Sequence, residues 1–460
     1  MHLSMQDIAA ACNGILHSGT TSPITSITTD TRKITPGALF VPLKGERVDG
    51  HDYIAQALAA GAVCALSEKQ QIASLPIIRV ASTRTALMDL AAYYRRLHNI
   101  KVVAVTGSAG KTTTKEMMAA ILSQRFNTQK TMGNFFYDIG LPLSIFQLNP
   151  AHEVLVLEMG MNHANEITEL SKVGAPDIAV ITHIGDAHIE NFANREGILH
   201  AKLEIVDGLH PGGVVILNGD DPLLTGEIAR GKTRAFTVRY PSTAEIISTE
   251  PLGMTGTRCH FRLGEENNRQ DIHLTVPLPG RHMVMNALLS AAVGIELGLT
   301  PQEIAAGFDA LEVPGGRLTI TEANGMTIIN DAYNANPESM RQAINVMLLD
   351  KANQVRRVAI LGDIYELGHV AEERHRELGE YAANAGIDLL VTIGAMSRWT
   401  YEGYLAVTDR VFSVLHFADM GTFLAQWRTI LFPGDVVLVK ASRGMKFEQI
   451  ISALTEVEQA

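Results

Sequence analysis

The sequence predicts an α/β protein with three domains: a small α/β N-terminal domain, a central domain with a mostly parallel sheet, and a Rossmann-like C-terminal domain. At 460 residues the chain is too long for a single hydrophobic core. From residue 101, apolar runs alternate with helix-length segments, which is typical of a buried parallel sheet. The alternation resumes beyond a Pro-Gly-Gly turn at residues 314–316 and predicts a second doubly wound sheet.

The N-terminal domain is predicted to span residues 1–84. Its short β-rich runs at residues 38–43, 62–66 and 77–80 alternate with helical segments. This mixture predicts a small α/β unit.

The central domain is predicted to span residues 85–313 and the C-terminal domain residues 314–460. The central strands are four apolar runs: KVVAVTG, EVLVLEMG, IAVITHIG and GVVILNG. Residues 245–279 have an antiparallel β pattern, and HMVMNALLSAAVGIELGL predicts a long helix with small residues on one face. The C-terminal strands are also four runs: MTIIND, RRVAILGD, DLLVTIG and DVVLVKAS.

Composition and charge narrow the class of protein. The net charge of −11 argues against general binding to nucleic acid and predicts no attraction to an anionic membrane. We find no signal-peptide pattern and no run of roughly 18 residues that is apolar enough to span a membrane. Cys12, Cys64 and Cys259 lie far apart in the sequence, so we expect free buried thiols. A cytoplasmic enzyme is the expectation.

The segment VTGSAGKTTTKEM, residues 105–117, has the form of a phosphate-binding loop that is too short. Only two residues separate Gly107 from Gly110, where the usual loop has four. A strand precedes the loop and a helix follows, a setting that directs backbone N–H groups at phosphate oxygens. Lys111 is predicted to reach the β- and γ-phosphates and Thr112 to offer a hydroxyl to Mg²⁺. The alternative is a glycine-rich strand-to-helix turn without a ligand.

Other polar residues follow predicted strands of the central sheet. Glu158 ends an apolar strand, at the carboxyl edge where doubly wound sheets bind ligands. His188 and Glu190 follow the next strand and, two apart on an extended segment, are expected to face the same site. Taken alone, His188 would be a hydrogen-bonded loop histidine and Lys202 a solvated lysine.

Two polar segments follow strands of the C-terminal domain. They are DAYNANPESM at residues 331–340 and VKASRGMKF at residues 439–447, the second with Lys440, Ser442 and Arg443. Each is either an ordinary polar loop or part of a ligand site, and its place at a strand end favours a ligand site.

The order of these motifs resembles the Mur ligases, cytoplasmic enzymes of peptidoglycan precursor synthesis. The segments that carry the resemblance cover almost the whole chain: GSAGKTTT, EMG, GDAHIE, AKLE, NGDDP, PGRHMVMNAL, GGR, DAYNANPESM, LGDIYELG and KASRG. DAYNANP with a following ELG resembles the member that joins D-alanyl-D-alanine to UDP-N-acetylmuramoyl-tripeptide. The resemblance implies a UDP-binding N-terminal domain, a P-loop-type ATPase domain, two Mg²⁺ ions, these two small-molecule substrates and a monomer.

The resemblance also implies roles for individual residues. Lys202 matches a lysine that the family carbamylates, which converts a cation into an anion near the metals, and Asn286 matches an adenine contact. The implied catalytic residues are Lys111, His188, Lys202 and Arg317. The implied metal ligands are Thr112, Glu158 and His188. The implied nucleotide contacts are Gly107, Ser108, Ala109, Gly110, Lys111, Thr112, Thr113, Asn286, Arg317 and Asp331. The implied substrate contacts are Asp30, Thr31, Arg32, Lys44, Asp49, His51, Asn134, Tyr333, Asn334, Asn336, Ser442 and Arg443.

The implied chemistry is physically coherent, because a carboxylate must be activated before it forms a peptide bond. ATP would phosphorylate the substrate's terminal carboxylate, and the dipeptide amine would attack the acyl phosphate and release phosphate. Lys111, Mg²⁺ and Arg317 would offset the repulsion between the two anions. Closure of the third domain would exclude water.

The chain departs from the family pattern at three places. Phe136 and Tyr137 replace amides, His183 replaces an asparagine, and Ala441 replaces a glycine. Four alternatives remain at this point: the preceding Mur ligase, a folylpolyglutamate synthase, a P-loop switch or motor, and an inactive scaffold. The absent D-N-P-R segment argues against the first, and the UDP-type N-terminal segment argues against the second and third. The last is disfavoured by four intact residues: Lys111, Glu158, His188 and Lys202.

Overall fold

The computed structural model describes residues 1–17, 22–69, 75–133, 135–229, 237–239, 244–264, 268–313, 315–349, 355–408 and 411–456. The predicted α/β class is confirmed, with one mainly parallel sheet in each of three parts of the chain and a small antiparallel sheet beside the second. The division at residues 84 and 313 stays a prediction. The three cysteines are free and buried, as expected. Among the described residues, no helix combines the length and apolar character needed to cross a membrane.

The N-terminal part forms a five-stranded sheet with three helices. Its elements are α1 (Met5–Ala11), β1 (Ile15–Leu16), β2 (Ser26–Thr28), β3 (Ala38–Phe40), α2 (Ile54–Ala59), β4 (Ala62–Ser67), β5 (Ile77–Arg79) and α3 (Thr83–Arg96). The strand order is β1-β5-β4-β3-β2, and only β1 runs antiparallel to its neighbour. Ser82 caps α3 by accepting the Thr85 N–H, and Tyr94 of the same helix donates to the Leu148 carbonyl at 2.9 Å. Helix α3 therefore joins the N-terminal part to the central one.

The central sheet has six parallel strands. Its elements are β6 (Lys101–Thr106), α4 (Lys111–Leu122), β7 (Thr128–Lys130), α5 (Gly140–Ile145), β8 (Val154–Glu158), α6 (Glu166–Gly174), β9 (Ile178–Ile181), α7 (Arg195–Leu203), β10 (Val214–Leu217), α8 (Pro222–Ala229) and β11 (Thr237–Arg239). The order is β11-β10-β9-β6-β8-β7, so β6 lies between β9 and β8. The loops after these three strands meet at one sheet edge, where ligands of such sheets bind.

An antiparallel sheet and two helices complete the central part. They are β12 (Ala244–Pro251), β13 (Thr257–Leu263), β14 (Gln270–Val276), α9 (Arg281–Glu296) and α10 (Pro301–Asp309). Helix α9 packs along α4, the helix that begins at the phosphate loop. Its small residues, including the buried Ala287, Ser290 and Gly294, allow this close approach. The predicted antiparallel region and long helix are confirmed.

The C-terminal part is a second doubly wound sheet. Its elements are β15 (Thr319–Ala323), β16 (Met326–Asn330), α11 (Pro337–Met347), β17 (Arg357–Gly362), α12 (Ala371–Ala385), β18 (Leu389–Ile393), α13 (Ser397–Val407), β19 (Val414–Phe417), α14 (Met420–Leu424), β20 (Val436–Lys440) and α15 (Glu448–Thr455). The order is β15-β16-β20-β17-β18-β19, with β15 alone antiparallel. Because β20 lies between β16 and β17, the loops after these strands are neighbours.

The C-terminal part docks on the loop that follows β9. Asp186 of this loop is fully buried and accepts two hydrogen bonds from Arg195, at 2.5 and 2.9 Å, and one from Arg374 of α12 at 2.7 Å. Burial would raise the pKa of Asp186, but the two guanidinium groups lower it. Arg195 also donates to Glu338 of α11 at 2.8 Å. The carboxylate that holds the loop is thus shared between the central and C-terminal parts.

Candidate functional site

The phosphate loop needs glycine at two positions. Gly107 has φ +149°, and a Cβ there would lie 2.0 Å from Thr182 Oγ1. Gly110, the residue before α4, has φ +83° and faces the Asn286 side chain, which would be 2.9 Å from a Cβ. Both constraints come from neighbours that pack on the loop, so the glycines permit close approach as well as a turn.

Hydrogen bonds from two sides fix the phosphate loop: the loop that follows β9 and the C-terminal part. Ser108 donates its N–H to the His183 carbonyl at 2.7 Å, and Thr182 donates its hydroxyl to the Ala109 carbonyl at 2.5 Å. Asn336 of the C-terminal part donates its side-chain amide to the Ser108 carbonyl at 3.3 Å. The docked domain therefore touches the loop itself.

Lys111 begins α4 and turns back over the loop. Its Nζ donates to the Gly107 carbonyl at 2.7 Å. Burial lowers the pKa of Lys111, and Glu158 opposes that shift. Two charged residues of the C-terminal part also affect the pKa of Lys111: Arg317 lowers it and Glu366 raises it. Both residues are therefore close enough to Lys111 to interact with it electrostatically.

Thr112 and Glu158 come together as predicted from the sequence. The Thr112 hydroxyl donates to Glu158 Oε1 at 2.9 Å. Glu158 is 1% exposed, and its Oε2 has no hydrogen-bond partner among the described residues, with Lys115 Nζ 3.8 Å away. A buried carboxylate oxygen without a hydrogen bond, beside a hydroxyl, fits the oxygen ligands that Mg²⁺ prefers. No group of three His, Cys, Asp or Glu side chains in the described chain could complete such a site, so further oxygens are needed.

The expectation that His188 and Glu190 lie on an extended segment is wrong. His188 has φ +64°, and residues Ile189–Asn191 form a 3-10 turn. Asp186, which precedes His188 in the same loop, is buried. Glu190 donates its backbone N–H to the Glu366 carbonyl at 3.2 Å. His188 Nδ1 lies 2.7 Å from Glu366 Oε2, whereas Glu190 is exposed.

Lys202 is not the solvated lysine that its isolated sequence context indicates. It lies in α7, is fully buried, and its Nζ has no hydrogen-bond partner among the described residues. Burial and then the charge of Lys111 hold the pKa of Lys202 well below its ordinary value. A fully buried amine without a hydrogen-bond partner is costly, which makes this an unusual position for a lysine.

The polar segments of the C-terminal part hold one another. Lys440 is buried and donates to Asp331 Oδ2 at 2.5 Å and to the Asn334 carbonyl at 2.9 Å. Asn334 Oδ1 in turn accepts the Arg443 N–H at 3.2 Å. Asn336 caps α11 by accepting the Ser339 N–H at 2.8 Å. The segments after β16 and β20 therefore form one unit.

Two arginines lie over the Tyr333 ring. The Arg317 guanidinium carbon is 4.2 Å from the ring centroid and that of Arg443 is 5.3 Å away. Ser442, also predicted as a substrate contact, is buried and accepts the Tyr365 N–H at 2.8 Å.

The predicted N-terminal contacts form two local clusters. Asp30 begins the 3-10 turn Thr31–Lys33 and pairs with Arg32, whose hydrogen bonds lower the pKa of Asp30 to about 2. Asp49 accepts the backbone N–H and Nδ1–H of the buried His51 at 2.9 and 2.7 Å.

The second cluster, formed by Asp49 and His51, holds the local structure together through hydrogen bonds. His51 Nε2 accepts the Glu68 N–H at 3.2 Å, so both ring nitrogens are engaged. Lys44 is exposed and forms an isolated β-bridge with Asp49. Asn134 lies outside the described residues.

Three family models match parts of this chain. Residues 23–120 match "Mur ligase family, catalytic domain", residues 105–294 match "Mur ligase middle domain", and residues 316–443 match "Mur ligase, glutamate ligase domain". A Bacillus subtilis protein named UDP-N-acetylmuramoyl-tripeptide--D-alanyl-D-alanine ligase is 39% identical over 440 residues, which cover 94% of this chain and 93% of that protein. The chain belongs to the Mur ligase family.

Solved structures of Mur ligases share the architecture. A crystal structure of MurF from Acinetobacter baumannii superposes with a TM-score of 0.90 at 32% identity and covers 99% of both chains. MurF from Thermotoga maritima in complex with ADP gives a TM-score of 0.80 at 29% identity, with 93% of this chain and 96% of that one covered.

Sequence reasoning gave no role to three residues that this Mur ligase brings to the site. Glu366 lies in the ELG segment, and His188 lowers its pKa. Tyr137 donates to Asn162 Oδ1 at 3.3 Å, and burial raises the pKa of Tyr137 to about 12. Asp186 is the docking carboxylate. Glu366 and Asp186 both lie in loops that follow apolar strands, the same signal that singled out His188.

We expect Gly107→Ala to weaken ATP binding. The added Cβ would overlap Thr182 Oγ1, and alanine disfavours the φ of this residue. The Kd for ATP, measured by calorimetry, should rise at least about 10-fold. The matched control is Gly226→Ala in α8, where a Cβ meets nothing within 4 Å and Kd should stay within about twofold. An unchanged Kd in Gly107→Ala would show that the loop does not hold the phosphates.

Proposed function

We propose that this chain is an ATP-dependent ligase that joins D-alanyl-D-alanine to UDP-N-acetylmuramoyl-tripeptide through an acyl phosphate. One observation carries the proposal: the C-terminal part contacts the phosphate loop. Asn336 of that part donates a hydrogen bond to the Ser108 carbonyl. Relatives that match nearly the full length carry the name of this activity. With ATP and a nucleotide-linked donor, the reaction belongs to cytoplasmic peptidoglycan precursor synthesis.

The site supplies the charges that the first step needs. The donor carboxylate and the γ-phosphate repel each other, and Lys111 lies at the phosphate end of the loop. Arg317, half-buried and stacked on Tyr333, brings a second cation from the C-terminal domain. Asn286 packs against Gly110 of the phosphate loop, and the adenine contact that the resemblance implies for this residue is part of the proposal. The carboxylate oxygen attacks the γ-phosphorus, and ADP leaves.

Thr112 and Glu158 would hold Mg²⁺ together with the ATP phosphates, and His188 lies on the next loop at the same sheet edge. Bound there, Mg²⁺ would neutralise phosphate charge. The residues fit because Glu158 keeps one buried oxygen without a hydrogen bond.

The second step forms the amide. The dipeptide ammonium first releases one proton to solvent, and the neutral amine attacks the carbonyl carbon of the acyl phosphate. The nitrogen passes a second proton to the departing phosphate as the tetrahedral intermediate expels it with the bridging oxygen. Docking through Asp186 and Arg374 encloses this intermediate, which water would otherwise hydrolyse. We assign the acceptor to the unit formed by Tyr333, Asn334 and Arg443, and the uridine end of the donor to the region of Asp30 and Arg32.

Lys202 is proposed to carry a carbamate. A neutral amine is the form that adds CO₂, with loss of one proton, and burial followed by the charge of Lys111 lowers the pKa of Lys202, which favours that form. The product is an anion whose oxygens would pair with Lys111 or serve a cation. This modification would replace an unpartnered amine by a partnered carbamate.

The reaction itself is tested by phosphate release. Purified protein with ATP, Mg²⁺ and both substrates should release phosphate in a 1:1 ratio with the amide product. Omission of D-alanyl-D-alanine should abolish steady release, because the acyl phosphate then has no amine to react with. Release at the same rate without the dipeptide would contradict the ligase assignment.

The carbamate is tested by Lys202→Ala. This variant should lose at least about 100-fold in kcat, because an anion at the centre of the site is removed. Short carboxylic acids such as acetate should restore part of the activity by occupying the space. Lys172→Ala, which changes an exposed lysine of α6, is the matched control and should keep wild-type kcat. Full activity of Lys202→Ala would rule the carbamate out.

A further inference from the structure

We infer that the Glu366 carboxylate binds the ammonium group of the acceptor dipeptide and sets the preference for an acceptor with a free amine. The inference rests on the proposed function and deepens it, since it assigns one side of the acceptor site. The acceptor amine must reach a carbonyl carbon beside the γ-phosphate. Glu366 is a carboxylate of the C-terminal domain that interacts electrostatically with Lys111, the residue at that phosphate.

The backbone at Glu366 is held in an unfavourable conformation. Its φ is +63°, in the left-handed region that glutamate seldom adopts. It faces His188, whose φ of +64° is equally unusual, and the Glu190 N–H fixes the Glu366 carbonyl at 3.2 Å. The two residues face each other across the interface between the central and C-terminal parts, so this contact fixes where the carboxylate lies.

The Glu366 side chain is only partly engaged. Oε2 lies 2.7 Å from His188 Nδ1, and the side chain is 47% exposed. No described residue donates to Oε1. The carboxylate therefore contacts His188 through one oxygen and is open at the other, as a binding group for a cation needs to be.

Arg443 supplies the opposite charge from the neighbouring loop. Strands β17 and β20 are paired and parallel, so the loops that carry Glu366 and Arg443 leave the same edge. Ser442 Oγ accepts the Tyr365 N–H at 2.8 Å, which ties these loops together. D-alanyl-D-alanine is a zwitterion with an ammonium at one end and a carboxylate at the other. A carboxylate and a guanidinium on adjoining loops carry charges opposite to these two ends, and the Arg443 side chain remains 60% exposed beside Glu448, which lies 3.5 Å away.

The test compares two acceptors in two proteins. One acceptor is D-alanyl-D-alanine and the other is D-lactyl-D-alanine, which has a hydroxyl in place of the ammonium. Wild-type protein should bind the hydroxyl analogue at least about 10-fold more weakly, taken as the ratio of its inhibition constant to the KM of the dipeptide. In Glu366→Gln, the KM of the dipeptide should rise about 10-fold and the ratio should fall to about 1. The KM values for ATP and for the donor should stay at wild-type levels.

The matched control is Glu372→Gln, an exposed glutamate on α12 that pairs with Arg376. It should keep both the KM and the ratio, and thermal melting should show that both variants are folded. If Glu366 served only to orient His188, Glu366→Gln would lower kcat and keep the wild-type ratio, which would overturn the inference. If wild-type protein formed no amide product, the proposed function would fail instead, so the two failures are distinguishable.

Discussion

The site depends on one buried carboxylate, Asp186, which binds an arginine from each of two domains. A carboxylate at this depth needs cationic partners, and Arg374 of the C-terminal part adds a third hydrogen bond to the two that Arg195 of the central part makes. The same loop carries Thr182 and His183, which fix the phosphate loop, and His188, which meets Glu366. Docking therefore shapes the ATP site and the acceptor side together.

This arrangement suits a reaction in which a carboxylate must approach the γ-phosphate of ATP and water must be excluded from the site. Lys111 and Arg317 are offered from opposite sides of the interface, so the full positive charge exists only in the docked form. Glu158 and Lys202 each bury a polar group that lacks a hydrogen-bond partner in the described part of the chain. A buried polar group without a partner is costly, and a phosphate, a cation or a carbamate would supply the missing partners.

Much of the fold was predictable from the sequence, because the central strands of both parallel sheets are continuous apolar runs bounded by glycine or polar residues. The short edge strands β7, β11, β15 and β19 gave no such signal. Thr112 and Glu158 were predictable because a loop motif and a strand end specify their places. The left-handed conformation of His188 and the burial of Lys202 were not, since both depend on contacts with distant residues. The hydrogen-bond partners of Asp186 are Arg195 and Arg374, which lie 9 and 188 positions away in the chain, and no local sequence pattern encodes these contacts.

The proposed reaction depends on the activation of a substrate carboxylate by ATP, between the phosphate loop and the C-terminal part. The most direct measurement follows ¹⁸O from the labelled terminal carboxylate of the UDP-N-acetylmuramoyl-tripeptide during ligation. Attack of that carboxylate on the γ-phosphorus predicts that one labelled oxygen leaves with each phosphate, which mass spectrometry detects as a shift in the released phosphate. Released phosphate without label, formed alongside the amide product, would contradict the acyl phosphate and the role assigned to the loop.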